Sequence, residues 1–195
     1  MKKLDRRILR TRQTLSDALI SLALEFGYEA ITIKMLTKQA EIGYATFFRH
    51  FKSKDDLILH VLQSGLVDMM GLLKPEMTPY ERAFITFTHI REDPGIFSLF
   101  ANLPRDHKVI AIVFEIIIES IETLYVSRDE SFIPKEIAIN HLVTSVIELI
   151  RWWVEHDMKY SIEQMATIQS ELIVKATEIV AVDRCIQRVS DSAAD

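Results

Sequence analysis

Residues 43–54 read GYATFFRHFKSK, with four aromatic rings (Tyr44, Phe47, Phe48, Phe51) set among Arg49, His50, Lys52 and Lys54. Apolar rings seek a core, whereas cations seek water or a polyanion. A segment with both must present two faces. Phe47 and Phe51 are four apart, so on a helix they share one side; Tyr44, Ala45 and Phe48 turn away from it. The outward side has the chemistry of a nucleic-acid reader. The hydroxyls of Tyr44 and Thr46 can meet a base edge or hold a phosphate, and the small Ala45 permits close approach to a groove. Arg49, His50 and Lys52 flank that side where phosphate oxygens would run. Ser53 and Lys54 open the next helix, whose positive end and free N–H groups also favour a phosphate.

Other chemistries find no footing. His50, His60, His89, His107, His141 and His156 are scattered and none forms HExxH, and one cysteine cannot make a zinc-finger pair. Five glycines make no phosphate-cradling loop, and no GxSxG elbow occurs. The expectation is a protein that is not an enzyme, with no catalytic residues, metal or cofactor.

The elements that must position the outward side read as helices throughout. Leu15, Ala18, Leu19, Leu22, Ala23 and Phe26 follow the spacing of an amphipathic helix, with Gly27 as its C-cap. Thr32 is placed to cap a short second helix bearing Ile33, Leu36 and Ala40, and it joins the candidate DNA contacts. A break at residues 41–43 leads to a third helix through Ala45 and His50, expected to bury Phe47 and Phe51 against Leu22, Phe26 and Leu36. Ser53 starts a fourth in a capping-box pattern with Asp56. Two short helices joined by a tight turn form a helix-turn-helix candidate, the second helix entering a major groove. The basic arm of Lys2, Lys3, Arg6, Arg7 and Arg10 can add phosphate contacts.

Further helices are expected over 80–91 and 96–102, from Pro104 to about Ser127, and on either side of 156–161, with Pro134 at N1 of the penultimate one. No strand alternation or internal repeat is evident. The prediction is an all-α chain of about nine helices: a helix-turn-helix DNA-binding domain over 1–53, and a larger helical ligand-binding and dimerisation domain over 54–195. In 137–155 the polar residues Asn140, Thr144, Glu148, Arg151 and Glu155 form one narrow stripe and nearly all else is apolar. The last helix carries Met165, Ile168, Leu172, Ala176 and Ile179 on one face and Ala166, Ile173 and Val180 on another. Such helices need covering on two sides, which predicts a homodimer through a four-helix bundle of the last two helices.

Charge divides the chain. Residues 1–60 hold 11 Lys/Arg against 7 Asp/Glu, and the remainder 12 against 21, so the first third alone suits a polyanion. The N-terminus lacks the apolar core of a signal peptide, and the greasiest run, 109–118, is too short for a bilayer and contains Glu115. With one cysteine, Cys185, this places the chain in the cytoplasm, away from membranes.

Residues 27–57, GYEAITIKMLTKQAEIGYATFFRHFKSKDDL, resemble the N-terminal domain of the TetR/AcrR transcriptional regulators, most specifically in the FKSKDDL ending. The helical remainder, with RWWVEHDMKYSIEQM between its last two helices, is similar to that family's ligand-binding and dimerisation region. Three positions depart: Glu41 replaces a common turn glycine, Gly43 a polar residue opening the recognition helix, and Phe48 a frequent phosphate-binding tyrosine. The resemblance implies a small-molecule inducer held between helices. Candidate lining is Phe84, Phe87, Phe97, Phe100, Phe114 and Trp152, with His89 and His141 as polar handles, suiting a hydrophobic ligand. The expected function is a dimeric repressor released from its double-stranded operator by such a ligand. Two alternatives stand beside it: a ligand-binding protein whose altered head no longer reads sequence, and an architectural DNA-binding protein that answers to no ligand.

Overall fold

The computed structural model describes residues 6–74, 76–128 and 131–184. The helices are α1 (Arg6–Phe26), α2 (Ile33–Gln39), α3 (Tyr44–His50), α4 (Lys54–Leu72), α5 (Pro79–Glu92), α6 (Pro94–Ala101), α7 (Lys108–Glu122), α8 (Lys135–Glu155), α9 (Ile162–Ile168) and α10 (Ala176–Val180). A 3-10 turn at Tyr28–Ala30 follows α1, and a π-helical stretch, Gln169–Lys175, joins α9 to α10 without a break. Counting that continuous rod as one gives nine α-helices among the described residues, in an all-α architecture.

Packing divides the chain into two compact units, the first holding 1–67 and 94–110, the second 68–93 and 111–195. The first unit holds the head together with most of α4 and with α6. In the first unit α1 packs on α2 and α6, and α2 on α3. Leu15, Leu19, Leu36, Phe47, Leu57, Ile58 and Leu99 are fully buried. A Cβ on Gly65 would lie 2.9 Å from Ile96 Cγ2, so glycine permits α4 and α6 to approach this closely. The helical spacing predicts Phe26 in this core as well. It is instead half exposed, because its α1 turn continues past the last buried pair, Leu22 and Ala23.

In the second unit α5 packs on α9 and the π segment, and α8 packs on the π segment. The centre is Trp153, wholly buried, its ring edge-to-face with Phe87 at 5.1 Å. Its Nε1–H donates to the Tyr160 carbonyl at 3.1 Å, and the Arg91 guanidinium lies 4.9 Å from its ring centre. Arg91 also donates to the carbonyls of Met158 and Tyr160. These bonds hold the α8–α9 turn, in which Asp157 and Met158 adopt left-handed φ of 55° and 50°. Capping boxes open α5 at Thr78/Glu81 and α9 at Ser161/Gln164.

Three further features differ from the sequence reading. The helix expected to reach Ser127 ends at Glu122, and Tyr125–Ser127 forms β1, antiparallel to β2 (Val182–Arg184), with Val126 opposite Asp183. Three-residue strands are too short for alternation to reveal. Pro134 is the N-cap of α8 rather than its first residue. Arg151, expected in the polar stripe, is 1% exposed, its Nε 3.5 Å from a Glu148 carboxylate oxygen. Among the described helices α8 alone is long and apolar enough, by length and composition, to cross a bilayer, yet Ile139 and Trp153 within it are wholly buried in protein.

Candidate nucleic-acid interface

The interface is built on α2 and α3. Thr32 caps α2 by accepting the Met35 N–H at 3.2 Å, so its hydroxyl is already engaged locally. The helix stops in a Schellman motif: the Ile42 N–H donates to the Thr37 carbonyl at 3.0 Å and the Glu41 N–H to that of Lys38 at 3.2 Å. This motif demands a left-handed residue at its end, and Glu41 supplies it with φ 52°. A β-carbon makes that conformation costly, which explains why glycine suits the position. Gly43 caps α3 in extended conformation with no side-chain bond.

α3 divides as its spacing predicts. Phe47 is 0% and Phe51 3% exposed, while Tyr44 is 58% and Phe48 46% exposed. The Phe47–Phe48 ring pair links the buried and outward sides, and the Phe47–Phe51 pair lies within the buried one. Ala45 and Arg49 are exposed beside the outer rings, Thr46 is half-buried, and Lys52 is exposed just past the helix end. The half-buried His50 offers its carbonyl to Arg12 Nη2 at 3.4 Å, and that guanidinium lies 5.1 Å from the Phe51 ring centre. Arg6, Arg7 and Arg10 belong to the first turns of α1; Lys2 and Lys3, like Cys185, lie outside the described residues.

Lys54 is placed differently from a freely solvated cation. Its Nζ donates to the Tyr28 carbonyl at 2.8 Å and lies 4.1 Å from the Tyr28 ring centre. Ser53 caps α4 by accepting the Asp56 N–H at 3.1 Å, and Asp56 in turn accepts the Lys52 N–H at 2.9 Å. Sequence reading missed Tyr28 and Arg12. Both act across more than twenty residues, and no local spacing signals such contacts.

The candidate ligand residues fall in both units. Phe97 and Phe100 belong to the first unit, and Phe84, Phe87, His89, Phe114, His141 and Trp152 to the second. Phe87 is core against Trp153, while His141 and Trp152 are exposed. Trp152 stacks instead on His156 at 4.4 Å and Tyr160 at 5.9 Å, with Lys159 Nζ 4.9 Å from its ring centre. The buried tryptophan is its neighbour, Trp153. A signal for it exists, since Ile139, Val143, Val146, Ile150 and Trp153 follow alternating steps of four and three.

Residues 15–61 match the bacterial regulatory proteins of the tetR family, and residues 86–175 match a transcriptional regulator C-terminal region. The chain belongs to the TetR family. Among curated relatives, the HTH-type transcriptional repressor KstR of Rhodococcus jostii is 30% identical over 81 residues, which are 40% of this chain and 38% of KstR. The curated relatives it matches are spanned only in part, over 21% to 38% of their own length. Two solved transcriptional regulators are matched along nearly their whole length. A TetR regulator of Streptococcus agalactiae gives a TM-score of 0.66 at 22% identity, covering 87% of this chain and 96% of that one. FadR of Bacillus subtilis, solved in complex with stearoyl-CoA, gives 0.58 at 19% identity, covering 83% and 97%. At these identities the likeness is one of fold.

Proposed function

We propose that this TetR-family chain is a cytoplasmic, dimeric, sequence-specific DNA-binding regulator, a repressor released from its operator by a small hydrophobic ligand. The observation that carries the reading is the division of α3. Its inner rings are committed to the core, so Tyr44 and Phe48 stand outward on a rigid helix, rimmed by Arg49, Lys52 and Lys54. A dimer would present two such helices to successive major grooves about 34–36 Å apart. Thr32, Ala45, Thr46 and His50 complete the proposed DNA-contacting set, which lies in the proposed DNA-binding portion, 1–53, but for Lys54 at the start of α4.

The dimer is supported by apolar side chains exposed on the last helices: Leu172 at 72%, Ile179 at 67%, Ile137 at 59% and Val180 at 50%. Burying such residues against a second copy removes apolar area from water. A hydrophobic ligand in residues 54–195 is supported by the half-buried rings of Phe84 and Phe114 and by the fold likeness to a regulator solved with stearoyl-CoA. A ligand that favours one arrangement of the two heads would shift the population away from DNA.

The deciding experiment is binding to DNA flanking its own gene, against a scrambled duplex, over a range of salt concentrations. Tight binding to the native fragment with a protected two-fold site is the expected result. Equal, weak binding to both, followed by failure to enrich any site from random DNA, would leave a ligand-binding protein with a head that no longer reads sequence.

A further inference from the structure

We propose that Tyr28 is a positioning residue for the Lys54 phosphate contact, and that the first turn of α7 sets its placement through Lys108 and Asp55. The proposal rests on the reading that Lys54 meets DNA. A lysine ammonium on a flexible stem is a poor fixed contact, because holding it costs rotamer freedom. Here that freedom is already reduced. The Tyr28 carbonyl takes one of the three N–H donors at 2.8 Å and the Tyr28 ring lies beneath the charge at 4.1 Å. Two donors are left over from that bond for a phosphate.

Tyr28 is itself fixed, being 3% exposed. Its hydroxyl donates to Asp55 Oδ1 at 2.6 Å, and its ring meets the His107 ring edge-on at 5.4 Å. The other Asp55 oxygen takes Lys108 Nζ at 2.6 Å, and His107 Nε2 lies 3.7 Å from Oδ1. The bonds from Lys108 and then Tyr28 hold the Asp55 carboxyl below the usual carboxylate range, so it remains the acceptor that Tyr28 needs. Charge explains why Lys108 matters. Asp55 adjoins Lys54 in the first turn of α4, and a carboxylate without its cation there would compete with a phosphate for the Lys54 ammonium. Lys108 is the first residue of α7, a helix that carries the chain from the first unit into the second. Moving that turn would release Asp55, then Tyr28, then Lys54.

The test measures affinity for a generic duplex and for the native flanking fragment as salt is varied, using folded full-length variants. Tyr28→Phe removes one hydroxyl and no charge. It is expected to weaken binding about fivefold on both duplexes and to lower the slope of log K against log salt by nearly one contact. In a Lys54→Ala background it should cost nothing further, which a general loss of structure would not reproduce. Lys108→Gln, at a side chain that is 71% exposed, should act in the same direction without touching the core. Its loss should likewise vanish in the Lys54→Ala background, and Lys108→Arg should restore binding. Wild-type affinity for Tyr28→Phe, or losses that add to Lys54→Ala, would overturn the inference alone. A wild-type protein that binds no duplex would overturn the DNA-binding reading with it.

Discussion

The Tyr44 and Phe48 rings meet edge to face, 5.2 Å apart at 62°, on the outward side of α3. The pair forms an angled apolar patch with one hydroxyl, suited to a thymine methyl or the sugar backbone. Phe48→Tyr would add a second hydroxyl at the rim. The prediction is tighter binding on every sequence by about 1 kcal/mol, the usual net value of one hydrogen bond. Tyr44→Ala is expected instead to change which base is preferred. Binding arrays over single-base variants of the site check both; a uniform loss for Tyr44→Ala would contradict base reading there.

Glu41 holds a backbone conformation that glycine adopts without cost. Glu41→Gly should therefore stabilise the fold by about 0.5–1 kcal/mol, less the extra entropy of a glycine in the unfolded chain. It also removes a negative charge next to the recognition helix and should tighten DNA binding. Asp157→Gly, at φ 55°, is the matched control, stabilising without the gain in affinity. Denaturant midpoints for the two variants settle the strain argument, and a fall in both would refute it.

His60 stacks near Phe51 at 5.4 Å, and burial, followed by the nearby Arg12 charge, pushes its imidazole below the ordinary 6.5, against a smaller pull from Asp56. The unfolded chain then takes up a proton near 6.5 that the folded chain refuses. That contribution to stability is whole above 6.5 and drains away as pH falls from there through the depressed folded value. Urea melts at about pH 7.5 and about pH 5.5, in wild type and His60→Phe, should show a smaller drop in the variant. Equal drops would exclude His60 as the source.

Leu172 is 72% exposed on the rod that runs from α9 to α10. Leu172→Glu should leave the isolated fold within about 0.5 kcal/mol, as surface changes usually do, while placing a charge in the proposed dimer seam. Sedimentation should find a monomer where wild type is a dimer. A variant of unchanged mass would move the interface elsewhere.

Trp152 and Trp153 should behave oppositely on truncation. Trp153→Ala empties a site packed by Phe87 and strips two partners, the Tyr160 carbonyl and the Arg91 cation, so a loss of about 3–5 kcal/mol is expected. Trp152→Ala removes a surface stack at 36% exposure and should cost far less. Thermal melts of the pair test this, and similar losses would refute the assignment of the core tryptophan.

Much of the head is legible in the sequence because its rules are local. The four-residue step from Phe47 to Phe51, the cap at Thr32 and the cap at Ser53 all act within about one helical turn, and all three appear in the fold. The features that stay hidden act at a distance or are too short to make a pattern. The Tyr28 bonds to Lys54 and Asp55 cross 26 and 27 residues. Arg151 looks like a surface residue by type, yet its neighbours bury it. Adjacent tryptophans differ by only one step around a helix, and side-chain type does not say which points inward; only the four-and-three spacing from Ile139 marks Trp153. The pairing of β1 with β2 depends on where the chain returns, which neither three-residue strand encodes by itself.

The π-helical stretch sets the timing of everything after it. Every fourth residue from Met165 through Gln169 and Ile173 to Thr177 is buried. On a regular α-helix four steps overshoot a turn by about 40°, so such a row would wind off the core within a few turns. The wider π turn at Gln169–Lys175 absorbs that overshoot. It acts as a phase shifter, and its phase is worth one surplus residue. Winding the same residues as a regular α-helix would instead rotate the chain beyond them by about 100°, the step of one residue. Thr177 would swing toward water, and Val182 would lose its register with Ser127. The last strand is thus keyed in place by a spare residue in the helix before it.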